Sequence, residues 1–159
     1  MRLLEQVLFW FHGMSAAAWF GAIFYRTLVV DGKAFRYFAD VAEYERFSTH
    51  LAHGMRYTVT AGMLTCAASG FALAGLRWNP ENPVWLGLIG AKVVVQLAAA
   101  GLFAYVSYVH WPWRSLATPG EYAGYRREGT HLAAAMVMLS GTGFLLGQAC
   151  RLAYPVPPG

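Results

Sequence analysis

Apolar residues fill four long blocks of the chain, near Leu3–Arg26, Phe47–Leu76, Val84–His110 and Gly129–Leu152, and shorter polar stretches separate them. A helix crosses the hydrocarbon core of a bilayer with about 20 apolar residues, and each block supplies that many. The pattern predicts an all-α, integral membrane four-helix bundle whose helices run up and down between short loops. In the first loop, Asp31 to Arg46, the residues Phe35, Phe38, Val41 and Tyr44 or Glu45 follow a helical period. This predicts a short helix lying in the interface. The second loop, Arg77-Trp78-Asn79-Pro80-Glu81-Asn82-Pro83, is a turn cluster. Trp78 and Trp85 flank it as interfacial anchors, and Trp111-Pro112-Trp113 does the same at the other end of the third helix. Residues 1–153 read as a single transmembrane domain. The tail 154–159, Tyr-Pro-Val-Pro-Pro-Gly, cannot continue a helix and is expected to be disordered. No small-residue cleavage site follows the first block, which therefore reads as a retained helix.

Composition agrees with this pattern. The chain is 57% hydrophobic and 13% charged, against roughly 25% charged in soluble domains. The net charge of +4 is spread over the loops with no basic run able to track a phosphate backbone, so nucleic acid is not an expected partner. The distribution of Lys and Arg speaks to topology. Arg26, Lys33, Arg36, Arg46, Arg114, Arg126 and Arg127 lie in or beside loops one and three, whereas Arg2, Arg77 and Arg151 mark the other side. This predicts loops one and three on the cytoplasmic side and both termini on the outer, periplasmic side, and the expected location is the cell inner (plasma) membrane. Cys66 and Cys150 lie in apolar helix pattern at different expected depths. They read as small buried hydrophobes rather than a disulfide.

The ionisable residues inside the blocks carry the candidate chemistry. His12 shares a helical face with Ser15, Trp19, Ala22 and Arg26, in a first helix rich in small residues that permit close packing. Gly54, Gly62 and Gly70 recur along the second helix, where Thr58, Gly62, Thr65 and Ser69 form a mildly polar seam. Depth compared across the four helices gives two layers. The outer one groups His12, Lys92 and Thr142. An amine and an imidazole at that depth form a donor–acceptor couple suited to chemistry or proton handling; the plainer alternative has Lys92 snorkelling to the outer surface. The inner layer groups His53 with His131, and His50 with His110 nearer the interface. Imidazoles paired across helices point to a metal or a haem, with Arg56, three residues after His53, placed to hold a propionate. Here too a plainer alternative stands, of interfacial histidines without a ligand.

The order His12, then Trp19-Phe20-Gly21, then the aromatic pair Phe24-Tyr25 resembles the CopD-type membrane domain superfamily, including the HemJ-type protoporphyrinogen oxidases. Lys92 in Gly90-Ala91-Lys92-Val93 matches a lysine early in that family's third helix, and Phe47-Ser48 matches its aromatic-Ser opening of helix two. The resemblance covers all four helices in outline. It implies a four-helix bundle. In the HemJ branch it implies haem b and oxidation of protoporphyrinogen with the His12 and Lys92 positions essential, and in the CopD branch copper handling. The chain departs from the HemJ pattern where Arg26-Thr27-Leu28 stands in place of Leu-Pro-Arg, and where Arg127-Glu128-Gly129-Thr130-His131 replaces Asn-Glu-x-Pro. His50, His53, His110 and His131 lie outside the family pattern.

Three readings follow. The first is a haem b-binding membrane protein of CopD/HemJ type doing redox work, either as an oxidoreductase or as an electron carrier for a redox partner, with His12 and Lys92 as the reactive pair. Its axial ligands would be His53 and His131, with Arg56, His50 and His110 around the cofactor. The second is a copper transport or resistance protein. The third is a non-catalytic accessory subunit of a membrane complex. The lipid bilayer is a partner in all three, and the sequence leaves homo-oligomer formation open.

Overall fold

The computed structural model describes residues 2–153; Met1 and the tail 154–159 lie outside the described residues, and with them the expectation of a disordered C-terminus. The order is α1 (Arg2–Tyr25), a π-helical turn (Arg26–Val30), α2 (Asp31–Tyr37), α3 (Val41–Leu76), α4 (Pro83–Tyr105), a second π turn (Val106–His110), α5 (Trp111–Ser115) and α6 (Tyr122–Ala153). All regular structure among the described residues is helical. The two π turns join their neighbours into continuous rods. Four rods result, Leu3–Tyr37, Val41–Leu76, Pro83–Ser115 and Tyr122–Ala153, each long and apolar enough to cross a membrane. The chain is a multi-pass membrane protein with an apolar, lipid-facing exterior. Leu3, Trp10, Leu64, Val94, Leu97, Met138 and Leu145 are among its exposed large side chains.

Local sequence explains the ends. Asp40 caps α3 by accepting from the Ala42 amide at 3.0 Å, and Asn82 caps α4 by accepting from the Trp85 amide at 3.0 Å, with Pro83 pre-set for the first helical turn. Before α6, the carboxylate of Glu121 accepts from the Thr118 amide and hydroxyl at 2.8 and 2.7 Å. Asn82 also ties the adjacent rod, donating from Nδ2 to the Ala153 carbonyl at 3.2 Å.

The rods are longer than the apolar blocks. At 1.5 Å per residue they run roughly 48–54 Å, against about 30 Å of hydrocarbon. The surplus lies at the end that carries both π turns. The short helix expected in loop one is therefore α2, a continuation of α1, and it stops before the periodic pattern does. The chain breaks at Phe38-Ala39-Asp40, where Phe38 is extended, and Tyr44 and Glu45 belong to the next rod.

In cross-section α1 packs along α3 and also against α6, α6 packs along α4, and α3 touches α4 only sparsely. The ring of four rods is thus closed on three sides and has a seam on the fourth. Trp19, Ile23, Val59, Ala99 and Met136, one or two from each rod, form the core. Bare backbone permits the close approaches: a Cβ at Gly62 would stand 3.8 Å from the Trp19 Cβ, and one at Gly141 would meet the Phe20 ring at 3.3 Å. At the terminal end, Arg77 pairs with Glu5 at 2.5 Å and lies over the Phe9 ring.

Candidate functional site

His12 and Lys92 meet. The Lys92 Nζ lies 2.9 Å from His12 Nε2, and His12 Nδ1 lies 2.9 Å from the Ser69 hydroxyl oxygen. Ser69 is 5% exposed, and its own hydroxyl donates to the Thr65 carbonyl at 2.7 Å. That last bond sets the direction of the others. With its hydrogen spent on Thr65, the Ser69 oxygen accepts from His12 Nδ1–H, which leaves the Nε2 lone pair to accept from Lys92. The result is a one-way relay from Lys92 through the imidazole to Ser69 and the Thr65 carbonyl, spanning α4, α1 and α3.

Two glycines make the space for it. A Cβ at Gly70 would lie 3.0 Å from His12 Cε1, and one at Gly147 would lie 3.2 Å from Lys92 Nζ. Gly147 on α6 thus brings the fourth rod into the layer. The Cys66 Sγ stands 4.0 Å from His12 Nδ1. The pair lies roughly 13–15 Å inside the terminal end of the bundle, counted at 1.5 Å per residue. Lys92 does not reach away to the surface, because the imidazole holds it.

The pair opens onto the seam. A cavity of about 200 Å³ between α3 and α4 is lined by His12, Lys92, Cys66, Gly70, Met63 and Gln96, and by a majority of apolar side chains including Leu64, Phe71, Val93 and Leu97. Since Leu64, Phe71 and Leu97 are themselves exposed on the lipid side, the cavity is a slot in the bundle wall with a polar floor.

The inner layer of histidines is arranged differently from the expectation. His53, His131 and His50 are all exposed, and the first two sit on α3 and α6, rods that lie diagonally across the bundle. His53 and His131 are not brought together. Helix azimuth explains this. The inward residues of α3 at this level are Ser48, Ala52, Met55, Arg56 and Val59, and His50 and His53 fall on turns of the helix between them, facing out. On α6, Gly129, Ala133 and Met136 face in, and His131, two residues from Gly129, points the opposite way. Among the described residues no group of three or more His, Cys, Asp or Glu side chains is gathered in metal-binding fashion. These positions do not fit a bis-histidine haem inside the bundle.

His110 and Arg56 do face inward. His110 is 3% exposed, and Arg56 donates from Nη2 to the Ser107 carbonyl at 2.8 Å, tying α3 to the second π turn across the seam. Both line a second cavity, of about 180 Å³, at the π-turn end of the bundle. Beside it, Arg114 on α5 holds the buried Glu45 through two bonds of 2.7 and 2.9 Å. Thr142, expected in the layer of His12 and Lys92, is exposed, and Gly147 takes that depth instead. Depths counted from the midpoints of the apolar blocks are displaced because the rods overrun those blocks at one end.

Ser69, Cys66, Gly70 and Gly147 complete the site and were not singled out as site residues by sequence. The seam of Thr65 and Ser69 was the available signal, since a serine on the same face as the helix-two glycines is where an inward hydroxyl belongs. Comparison with protein-family models, with curated proteins and with solved structures finds no match.

Proposed function

We propose that this chain is a membrane-embedded redox protein of the CopD/HemJ kind, in which the His12–Lys92 couple handles the protons of an apolar substrate that enters from the bilayer through the seam between α3 and α4. The observation that supports it most is the Lys92–His12 hydrogen bond on the floor of a lipid-facing slot. Hydrocarbon penalises both groups, and a relay anchored through Ser69 to a backbone carbonyl holds them in place. A reduced, lipophilic tetrapyrrole loses protons along with its electrons. On this reading the Nε2–Nζ couple takes those protons while a membrane partner takes the electrons. The termini face the outside and the π-turn end faces the cytoplasm, in accord with the Arg-rich loops at that end.

The test uses the protein reconstituted in liposomes with a porphyrinogen and an electron acceptor, following porphyrin fluorescence. His12→Ala and Lys92→Ala are expected to lower the rate by about 10²–10⁴, the usual contribution of a positioned acid–base group. His53→Ala and His131→Ala are expected to leave it unchanged. Native rates in both of the first two variants would refute the proposal.

A copper-handling reading has one observation in its favour. Cys66, His12 and Met63 share the slot, and thiolate, imidazole and thioether are a donor set suited to Cu(I). Competition for Cu(I) against a chromogenic chelator, with and without Cys66→Ser, tests it; equal affinity in the two proteins removes it.

A further inference from the structure

The cavity at the π-turn end is independent of the His12–Lys92 site and is built of different chemistry. Both π turns frame it: Arg26 and Thr27 come from the first, Ser107 and His110 from the second. Single π-helical turns are uncommon and concentrate at functional positions. The cavity carries cationic charge in excess. Arg26, Arg56, Arg114 and Arg126 line it, and the carboxylates against them are Asp31, 3.7 Å from Arg26, and Glu45, on Arg114. Arg56 spends its Nη2 on a neutral carbonyl. Arg126 lies over the Phe35 ring, 4.5 Å from the centroid.

Two buried nitrogens at this cavity have no hydrogen-bond partner among the described residues, Arg126 Nη1 and His110 Nε2. A buried guanidinium or imidazole nitrogen left unpaired is costly, and folded proteins leave few such groups. The His110 nitrogen is aimed at a definite place. A Cβ at Gly129 would lie 3.3 Å from it and 3.2 Å from Arg114 Nη1, so the bare backbone of α6 keeps open a small cradle between the two. The other ring nitrogen, Nδ1, faces Glu128 at 3.7 Å on the partly exposed side.

We propose that this cavity binds an oxyanion, a carboxylate or phosphate group, held by Arg126 Nη1 and His110 Nε2 with Arg56 supplying charge. An oxyanion gives Arg126 Nη1 a charge-assisted bond that matches the planar fork of arginine, and accepts from His110 Nε2 in the tautomer that carries its hydrogen there. The cavity volume of about 180 Å³ exceeds several times the roughly 30 Å³ share of one water, so the group fits with part of what it is attached to. Two sources share this chemistry, a soluble acid and the headgroup of an anionic lipid.

The experiment titrates the purified protein in a neutral detergent with inorganic phosphate and, separately, acetate, at ionic strength held constant with chloride, and reads tryptophan fluorescence and thermal unfolding. A second arm places the protein in phosphatidylcholine nanodiscs with and without phosphatidylglycerol. Saturable stabilisation by phosphate or acetate assigns the site to a soluble anion, and stabilisation confined to phosphatidylglycerol assigns it to a headgroup; each supports the proposal. Arg126→Gln is expected to weaken the response at least tenfold, Arg126→Lys less, and Arg127→Gln, on the exposed neighbour, not at all. Where Arg126→Gln does not fold, Gly129→Ala, which closes the cradle, is expected to give the same loss. No saturable response in any arm, or native affinity in the variants that close or discharge the cavity, overturns it.

Discussion

Two glycine substitutions on α3, eight residues apart, separate packing at the site from packing in the core. Gly62→Ala adds a methyl whose nearest neighbour outside its own turn is the Trp19 Cβ at 3.8 Å, an ordinary van der Waals distance. Gly70→Ala adds the same methyl 3.0 Å from His12 Cε1, with both ring nitrogens within 3.8 Å. Each substitution gains up to about 1 kcal/mol of helix propensity, and only the second carries an overpacking cost, about 1–3 kcal/mol. The expected result is a Gly62→Ala protein as stable as the native one or up to about 1 kcal/mol more stable, and a Gly70→Ala protein between neutral and about 2 kcal/mol less stable. The imidazole cannot retreat without lengthening its bond to either Lys92 or Ser69, each 2.9 Å. Unfolding by sodium dodecyl sulfate in mixed micelles measures the stabilities, and the ¹⁵N chemical shifts of His12 report the ring. Equal stability of the two variants together with unmoved His12 resonances would refute the close packing of Gly70 on the imidazole.

Ser69→Ala removes the acceptor of His12 Nδ1–H and is expected to cost about 1–3 kcal/mol, with the ¹⁵N shifts moving away from the Nδ1–H tautomer. Glu45→Ala strands Arg114, which is 6% exposed, and is expected to destabilise by about 3–5 kcal/mol in the same mixed-micelle assay, with Glu45→Ala/Arg114→Met recovering most of it. Asn82→Ala loses the cap of α4 and the tie to Ala153, at about 1 kcal/mol or more, read as faster amide exchange at Trp85 and Leu86. Hydrogen bonds from the Thr118 amide and hydroxyl hold the Glu121 carboxyl below its ordinary value of 4.5. A depressed carboxyl stabilises the folded state above the unfolded value and loses that contribution as pH falls through the folded one. Exchange protection at the start of α6 is therefore expected to hold at neutral pH and to be lost only as the pH falls below the ordinary carboxyl value of 4.5, and to be independent of pH in Glu121→Gln.

The four rods were legible because hydropathy is a one-dimensional signal and each run exceeds the bilayer. The His12–Lys92 meeting was legible for a related reason: an amine and an imidazole in otherwise apolar helices can lower their cost by finding each other. The histidines at the other end show where such reasoning stops. Depth along a helix can be counted, but direction around it turns 100° per residue, and a small error in the inward face carries His53 and His131 to the outside. Ala52 and Met55 mark that face on α3 only once the neighbours are known. The helical extensions were hidden as well, because the charged stretch Asp31–Tyr37 reads as loop by hydropathy and as helix by its backbone. Cys66 was legible as a buried hydrophobe, whereas its position beside His12 depends on the pairing of α1 with α3.

Each π turn closes with a bond across five residues rather than four, from the Asp31 amide to the Arg26 carbonyl and from the Trp111 amide to the Val106 carbonyl. Such a turn houses one residue that a uniform α-helix would not hold, so everything beyond it is rotated by about 100° relative to the uninterrupted spiral. The two insertions sit on rods that face each other diagonally across the bundle. Removing a single residue from within Arg26–Val30 would restore an unbroken helix and swing Asp31 away from Arg26, leaving α2 indexed to the wrong neighbours while α1 kept its alignment.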